Sequence, residues 1–133
     1  MERTLAIIKP DAVAAGLIGQ IIKRIEDEGI KITAMRMEQL TDRKAEGFYY
    51  VHRDKPFFSS LAKFMTSGPC VLMALEGSDV ILQWRKLMGA TDPAKADTGT
   101  IRKDFGSSIE RNASHGSDAK DTASFEVHYF FGI

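Results

Sequence analysis

The apolar residues of this chain occur both as short continuous runs and as helical repeats. Residues 4–8 (Thr-Leu-Ala-Ile-Ile) and residues 70–75 (Cys-Val-Leu-Met-Ala-Leu) are continuous runs of strand length. A strand that is covered on both faces shows such a run rather than an alternation of apolar and polar residues. We therefore predict two buried strands at these positions.

A helical repeat follows the first of these runs. Leucine or isoleucine stands at positions 17, 18, 21, 22 and 25, with polar side chains between them. This spacing predicts an amphipathic helix, and Gly29 is suited to end it. The other predicted elements are a looser strand over residues 30–40, helices over residues 43–50, 57–65, 79–88 and 118–124, a loop over residues 89–108 and a last strand over residues 125–131.

The order of these elements indicates the fold class. When the small helices and the loop are set aside, the order is strand, helix, strand, strand, helix, strand. This pattern predicts an α/β fold of the α+β type, a ferredoxin-like βαββαβ sandwich with an antiparallel four-stranded sheet, added helices and a long loop. A length of 133 residues predicts a single domain over residues 1–133.

The charge balance argues against two classes of binding partner, nucleic acids and membranes. Eighteen Lys and Arg residues balance eighteen Asp and Glu residues, so the formal net charge is zero. The chain therefore has no overall basic field for nonspecific binding to nucleic acid or to a membrane. No apolar run approaches the roughly 20 residues of a membrane span, and no signal segment opens the chain, so we expect a cytoplasmic protein without a membrane partner. The single cysteine, Cys70, lies in an apolar run that predicts a buried thiol.

The candidate chemistry is concentrated in residues 111–118, Arg-Asn-Ala-Ser-His-Gly-Ser-Asp. Imidazole can act as a nucleophile near neutral pH, and Gly116 beside His115 would let a large anion approach. A lone loop histidine more commonly has no catalytic role, so the surrounding cations decide the interpretation. The usual P-loop and dinucleotide-binding motifs are absent, and the histidines lack the spacing of zinc ligands.

Several cations stand among small or apolar residues. Lys9 ends the first predicted strand, and Arg102 follows Gly-Thr-Ile in the long loop. Taken singly, Arg85 and Arg102 could be ordinary surface charges. Together the set suits a polyphosphate, because arginine presents paired donors to phosphate oxygens. Its members are Lys9, Arg85, Thr91, Arg102 and Asn112.

Five motifs then make the chain recognisable. They are Lys-Pro-Asp at residues 9–11, Pro-Phe-Phe at 56–58, Phe-Met-Thr-Ser-Gly-Pro at 64–69, Gly-Thr-Ile-Arg at 99–102 and Asn-Ala-Ser-His-Gly-Ser-Asp at 112–118. In this order they resemble the nucleoside diphosphate kinase family over essentially the whole chain. The resemblance implies ping-pong transfer of the γ-phosphoryl group of a nucleoside triphosphate, mainly ATP, to a nucleoside diphosphate. The intermediate that it implies is a phosphohistidine on Nδ1 of His115.

The resemblance also implies roles for individual residues. Glu126, expected on the last strand, would orient His115, with Ser117 beside it. The residues expected around the transferring phosphate and the sugar hydroxyl are Lys9, Tyr49, Arg102 and Asn112. The other expected nucleotide contacts are Arg85 and Thr91 at the phosphates and Phe57, Leu61 and Ile109 at the base.

Further implications concern the cofactor and the assembly. The resemblance implies Mg²⁺, held mainly by the nucleotide phosphates, with Asp118 near it. It also implies a homo-oligomer, of which the sequence leaves the subunit number open. One departure from the family pattern is Asp92, where an asparagine is common before the loop proline. This change would add a negative charge near the phosphate loop.

Two other classes of function are weaker alternatives. A ferredoxin-like nucleic-acid-binding module is disfavoured by the neutral charge, and the central strands lack the interleaved aromatics on which bases stack. A catalytically silent relative that only binds nucleotide is disfavoured because His115, Lys9 and Glu126 are all retained. Radiolabel transfer from ATP to a nucleoside diphosphate would separate these possibilities.

Overall fold

A computed structural model describes all 133 residues of the chain. The elements, in chain order, are β1 (Glu2–Ile8), α1 (Pro10–Ala14), α2 (Ile18–Asp27), β2 (Lys31–Glu38), α3 (Asp42–Phe48), α4 (Phe58–Met65), β3 (Cys70–Gly77), α5 (Val80–Met88), α6 (Ile101–Phe105), β4 (Ser114–Gly116) and α7 (Lys120–Phe131). Two short 3₁₀ turns lie at Tyr50–His52 and Pro93–Lys95. None of the helices has the length and apolar character that crossing a membrane requires.

The four strands form one antiparallel sheet in the order β2-β3-β1-β4. This confirms the predicted ferredoxin-like α+β class. The two continuous apolar runs are the two central strands, β1 and β3. Successive side chains of a strand point to opposite faces. Leu5 and Ile7 therefore join one apolar cluster, while Ala6 and Ile8 join another across the sheet. Because both faces are covered, neither central strand shows an alternating pattern.

Helices cover both faces of the sheet. The cluster on one face includes residues of α3, α4 and α7, whereas the cluster on the other includes residues of α2, α5 and α6. The predicted amphipathic helix is α2, and Ile21 and Ile25 are its fully buried residues. Thr41 caps α3, since its hydroxyl accepts a hydrogen bond from Lys44 N at 3.1 Å.

The predicted last strand over residues 125–131 is wrong. The whole segment Lys120–Phe131 is one helix, α7, and the fourth strand is the short segment Ser114–Gly116. Phenylalanine, valine and tyrosine favour strands in isolation. The buried residues of the segment are Ala123, Val127 and Phe130, which have helical spacing, and packing of this face against the sheet outweighs the local preference.

The predicted long loop also contains regular structure. It includes the Pro93–Lys95 turn and helix α6. Thr100 caps α6 by accepting a hydrogen bond from Lys103 N at 3.2 Å. Asp92 caps the 3₁₀ turn, because its Oδ1 accepts from Ala94 N at 3.0 Å. An asparagine could make the same bond, so aspartate preserves the local anchoring and adds only the charge.

Candidate active site

The site forms where β1 and β4 run side by side. Ile7 pairs with His115 in the antiparallel register, so the end of β1 lies beside the histidine. A cleft of about 480 Å³ opens here. All of the predicted site residues except Ser117 and Glu126 line it: Lys9, Tyr49, Phe57, Leu61, Arg85, Thr91, Arg102, Ile109, Asn112, His115 and Asp118. Of the two exceptions, Glu126 contacts the His115 ring, and Ser117 forms a hydrogen bond with Glu126.

The imidazole of His115 is held through one of its two nitrogens. Its Nε2 lies 2.9 Å from Glu126 Oε1, and Ser117 Oγ donates to the same carboxylate oxygen at 2.8 Å. Because an ionised carboxylate only accepts hydrogen bonds, Nε2 carries the proton and Nδ1 keeps its lone pair. Phe48 packs edge-on against the ring, with centroids 5.3 Å apart. The pair therefore presents Nδ1 as a nucleophile of fixed tautomer.

The backbone around the histidine is fixed by the core. Trp84 Nε1 donates to His115 O at 3.1 Å. A Cβ on Gly116 would lie 2.5 Å from Met88 Cε and 2.7 Å from Trp84 Cδ1, which is too close for any side chain. The glycine is thus required by the packing of β4 on α5. The sequence argument connected this glycine with the approach of an anion and did not foresee this packing requirement.

Lys9 and Asn112 form a buried polar pair in the cleft. Lys9 Nζ donates to Asn112 Oδ1 at 2.9 Å and to Glu110 O at 2.8 Å, and only 5% of the lysine is exposed. Burial lowers the pKa of Lys9 to about 8; the Asp11 carboxylate opposes this shift, and Arg102 adds to it. Lys9 is therefore cationic at neutral pH but titrates not far above it.

The guanidinium of Arg102 is also buried. It donates to Gly89 O and Ser114 O, each at 3.0 Å, while its Nε is buried without a hydrogen-bond partner. Burial, followed by repulsion from Arg85, lowers the pKa of Arg102 to about 10, so the group stays charged at neutral pH. A buried cation with an unused donor is suited to bind an oxyanion.

The remaining polar residues lie near the mouth of the cleft. Arg85 forms an ion pair with Asp118 at 2.7 Å, with 40% of the arginine side chain exposed. Asn112 Nδ2 donates to the backbone oxygen of Thr91 at 3.0 Å and thus joins the Pro93 segment to the histidine segment. Tyr49 is buried, and burial together with the Glu126 charge raises its pKa, so its hydroxyl stays protonated.

An apolar slot lies at the other end of the cleft. Phe57 and Ile109, 46% and 62% exposed, border it with Leu61. Sequence reasoning missed three polar residues that line the same cleft, His52, Glu110 and Ser114. The only sequence signal for Glu110 was its place two residues before Asn112. Its carboxylate accepts from Ser60 Oγ at 2.8 Å, which joins the loop to α4.

Comparison with known proteins identifies the family. The family model described as nucleoside diphosphate kinase matches residues 2–133. The chain belongs to the nucleoside diphosphate kinase family. It is 61% identical over 131 residues to a nucleoside diphosphate kinase of Desulforapulum autotrophicum, a match that covers 98% of this chain and 95% of the relative. It is 60% identical over 131 residues to that of Syntrophotalea carbinolica, which covers 98% and 96%.

Solved structures of the family agree with the fold. The Aquifex aeolicus nucleoside diphosphate kinase superposes with a TM-score of 0.96 at 44% identity, and the match covers 98% of this chain and 94% of that one. A halophilic nucleoside diphosphate kinase from Halobacterium salinarum, in complex with CDP, gives a TM-score of 0.95 at 43% identity, with coverage of 99% and 88%. The chain is thus a phosphotransferase that acts on nucleotides by a ping-pong reaction through a phosphohistidine, and a kinase of this family uses a divalent metal.

Proposed function

We propose that His115 is the phosphoryl acceptor in this reaction. The observation that carries the proposal is the short contact between His115 Nε2 and Glu126, because it leaves Nδ1 with a free lone pair in a cleft that holds three cations. In the first half-reaction the Nδ1–phosphorus bond forms while the bond from phosphorus to the leaving diphosphate breaks. In the second, a phosphate oxygen of the acceptor diphosphate attacks, and Nδ1 regains its lone pair.

The cations of the cleft stabilise the transferring group. Phosphoryl transfer asks the protein mainly for positioning and for charge stabilisation on the phosphate oxygens. Lys9 and Arg102 are buried and charged, so they supply most of this stabilisation, with Asn112 and Tyr49 nearby. Arg85 and Thr91 lie farther out and bind the remaining phosphates. We assign the two buried cations to the transfer step, and Arg85 and Thr91 to binding.

The base occupies the apolar slot. Stacking on Phe57 gains affinity from any base, because every base has a π-face. Leu61 and Ile109 complete the slot and offer no hydrogen bonds to a base edge. Two polar side chains that line the cleft adjoin these residues: the Glu110 carboxylate accepts a hydrogen bond from Ser60, and the His52 ring lies 5.6 Å from the ring of Phe57. In our proposal the enzyme therefore accepts diphosphates of different bases.

The metal of this reaction is Mg²⁺ in our proposal. The chain has no group of three or more His, Cys, Asp or Glu side chains able to hold a metal ion. Mg²⁺ characteristically binds through one or two carboxylates plus substrate phosphates, so the donor set present fits an ion that arrives with the nucleotide. We propose Asp118 as the carboxylate that contacts it, and its 75% exposure and its place in the cleft beside Arg85 support this role. When bound, the ion neutralises charge on the phosphate oxygens.

A homo-oligomer is also part of the proposal, with the whole chain acting as one domain in the cytoplasm. The supporting feature is β2, an edge strand of the sheet. Met35 and Met37 on this strand are 53% and 55% exposed, and an exposed apolar edge favours pairing with a second copy. Sedimentation should give a species heavier than 14.7 kDa. Met35→Glu should weaken the homo-oligomer, whereas Leu82→Glu, at an exposed site on α5, should not. If the unmodified protein sediments as a stable monomer, the proposed assembly is wrong.

The decisive experiment for His115 is covalent labelling. Incubation with γ-labelled ATP and Mg²⁺ should give protein-bound label that survives alkali and is lost in acid, and the label should pass to an added nucleoside diphosphate. His115→Ala should abolish labelling, whereas His128→Ala, an exposed histidine on α7, serves as the matched control. Label that persists in His115→Ala, or that resists acid, would refute the assignment. No label in the unmodified protein would instead indicate a silent relative.

A further inference from the structure

The backbone just before His115 adopts a strained turn. A hydrogen bond from Ser114 N to Asn112 O, 2.9 Å long, closes a three-residue turn around Ala113, whose φ is +73°. These are the features of the classic γ-turn, which is rare and strained. A residue with a Cβ adopts this conformation only where its surroundings enforce it. The turn lies between two residues of the cleft, so its geometry sets how they are placed.

Two hydrogen bonds to the end of β1 and the start of α1 enforce this turn. Ala113 N donates to the Asp11 carboxylate, at Oδ2, over 3.1 Å, and Lys9 N donates to Ala113 O over 2.9 Å. Ala113 is itself fully buried, so its amide has no access to water. Asp11 therefore supplies the only side chain that satisfies the amide of the strained residue.

The other oxygen of this carboxylate has an unexpected environment. Asp11 Oδ1 is buried and has no hydrogen-bond partner. A charged acceptor makes a stronger hydrogen bond than a neutral one, so the carboxylate holds the strained turn more firmly than an amide would.

We infer that Asp11 is a positioning residue: its carboxylate locks the strained turn that places His115 and Asn112. The inference rests on the proposed function, since it takes His115 as the phosphoryl acceptor.

Four variants and a control test this role. Asp11→Ala removes both the acceptor and the charge, whereas Asp11→Asn keeps an acceptor and removes only the charge. Ala113→Gly lets the turn form without a Cβ, because glycine adopts positive φ readily; it is made alone and together with Asp11→Ala. Asp42→Ala is the matched control, an exposed aspartate in the first turn of α3. The readouts are single-turnover labelling by ATP and the split between kcat and KM.

For the locking role, Asp11→Ala should slow the labelling step by about tenfold to a hundredfold, mainly in kcat, because the strained φ of Ala113 loses the hydrogen bond that enforces it. The double variant Asp11→Ala with Ala113→Gly should recover most of this loss, which a general folding defect would not allow. Ala113→Gly alone and Asp42→Ala should label within about threefold of the unmodified protein. Rates within twofold in folded Asp11→Ala, or no recovery in the double variant, would overturn the locking role.

Asp11→Asn keeps an acceptor for the Ala113 amide, so its loss of labelling rate should be smaller than that of Asp11→Ala, and an equal loss would overturn the role of this hydrogen bond. If Asp11→Ala fails to fold, a reduced labelling rate in Asp11→Asn supports the locking role, and an unchanged rate overturns it. Failure of the proposed function would be visible separately, as absence of acid-labile label in the unmodified protein.

Discussion

Removal of the Glu126 carboxylate should slow phosphorylation of His115 while leaving the fold intact. Its Oε1 accepts hydrogen bonds from His115 Nε2 at 2.9 Å and from Ser117 Oγ at 2.8 Å, and only 14% of the glutamate side chain is exposed. A hydrogen bond to a charged group contributes about 1.5–3 kcal/mol. If that contribution is made in the transition state, Glu126→Ala should reduce the labelling rate by about tenfold to 150-fold.

Glu126→Gln gives a graded version of the same test. Its amide oxygen can still accept from His115 Nε2, but the negative charge that supports the developing phosphoimidazole is gone. We expect a loss smaller than that of the alanine variant. Glu26→Ala, an exposed glutamate on α2, is the matched control and should have no effect.

The assay is quenched-flow labelling with γ-labelled ATP, so that product release does not mask the chemical step. Circular dichroism and a urea titration should show that each variant is folded, with a stability loss of about 1 kcal/mol for Glu126→Ala because the buried Ser117 hydroxyl loses its acceptor. Labelling within threefold of the unmodified rate in folded Glu126→Ala would refute the orienting role of this carboxylate. A loss equal to that of Glu26→Ala would do the same.

Three further outcomes are expected. Lys9→Ala and Arg102→Ala should each slow single-turnover transfer by about a hundredfold or more, since one lost donor to a developing charge commonly costs about 3 kcal/mol. Near-normal rates in both variants would show that these cations have only a structural role. The pKa of Lys9 is lowered to about 8, so kcat/KM should fall as pH rises through that value and Lys9 loses its proton, and a flat profile from pH 7 to pH 10 would contradict this. Phe57→Ala should raise KM for ADP, GDP, CDP, UDP and TDP alike by about tenfold, because stacking contributes about 1–3 kcal/mol per base. If the unmodified protein instead prefers one base by more than roughly a thousandfold, the site recognises the hydrogen-bonding edge of that base.

The central part of the fold was predictable because its signals are local. A strand buried on both faces needs a continuous apolar run, and β1 and β3 show one. The spacing of Ile21 and Ile25 similarly predicted α2. The motif around His115 indicated the family because the chemistry needs a fixed set of side chains in a fixed order.

Other features depended on packing between distant segments. The aromatic end of the chain favours a strand by its composition, and only contact with the sheet selects the helical face of α7. The short strand β4 has three residues, too few for any period to be visible, and it exists because β1 pairs with it. The resemblance implied Glu126 as the partner of His115, and the structure places the two in contact, but Glu126 lies on helix α7 and not on the expected strand.

The sequence by itself predicted which residues form the candidate site: the histidine, the cations and the apolar residues expected around a nucleotide. It could not determine which imidazole nitrogen is free, because that depends on a contact between β4 and α7. Nor could it reveal the link from Asp11 to Ala113, which joins residues 102 positions apart. Side-chain type follows from the sequence directly, whereas hydrogen-bond partners, burial and the resulting shifts in pKa arise only when the sheet brings its strands together.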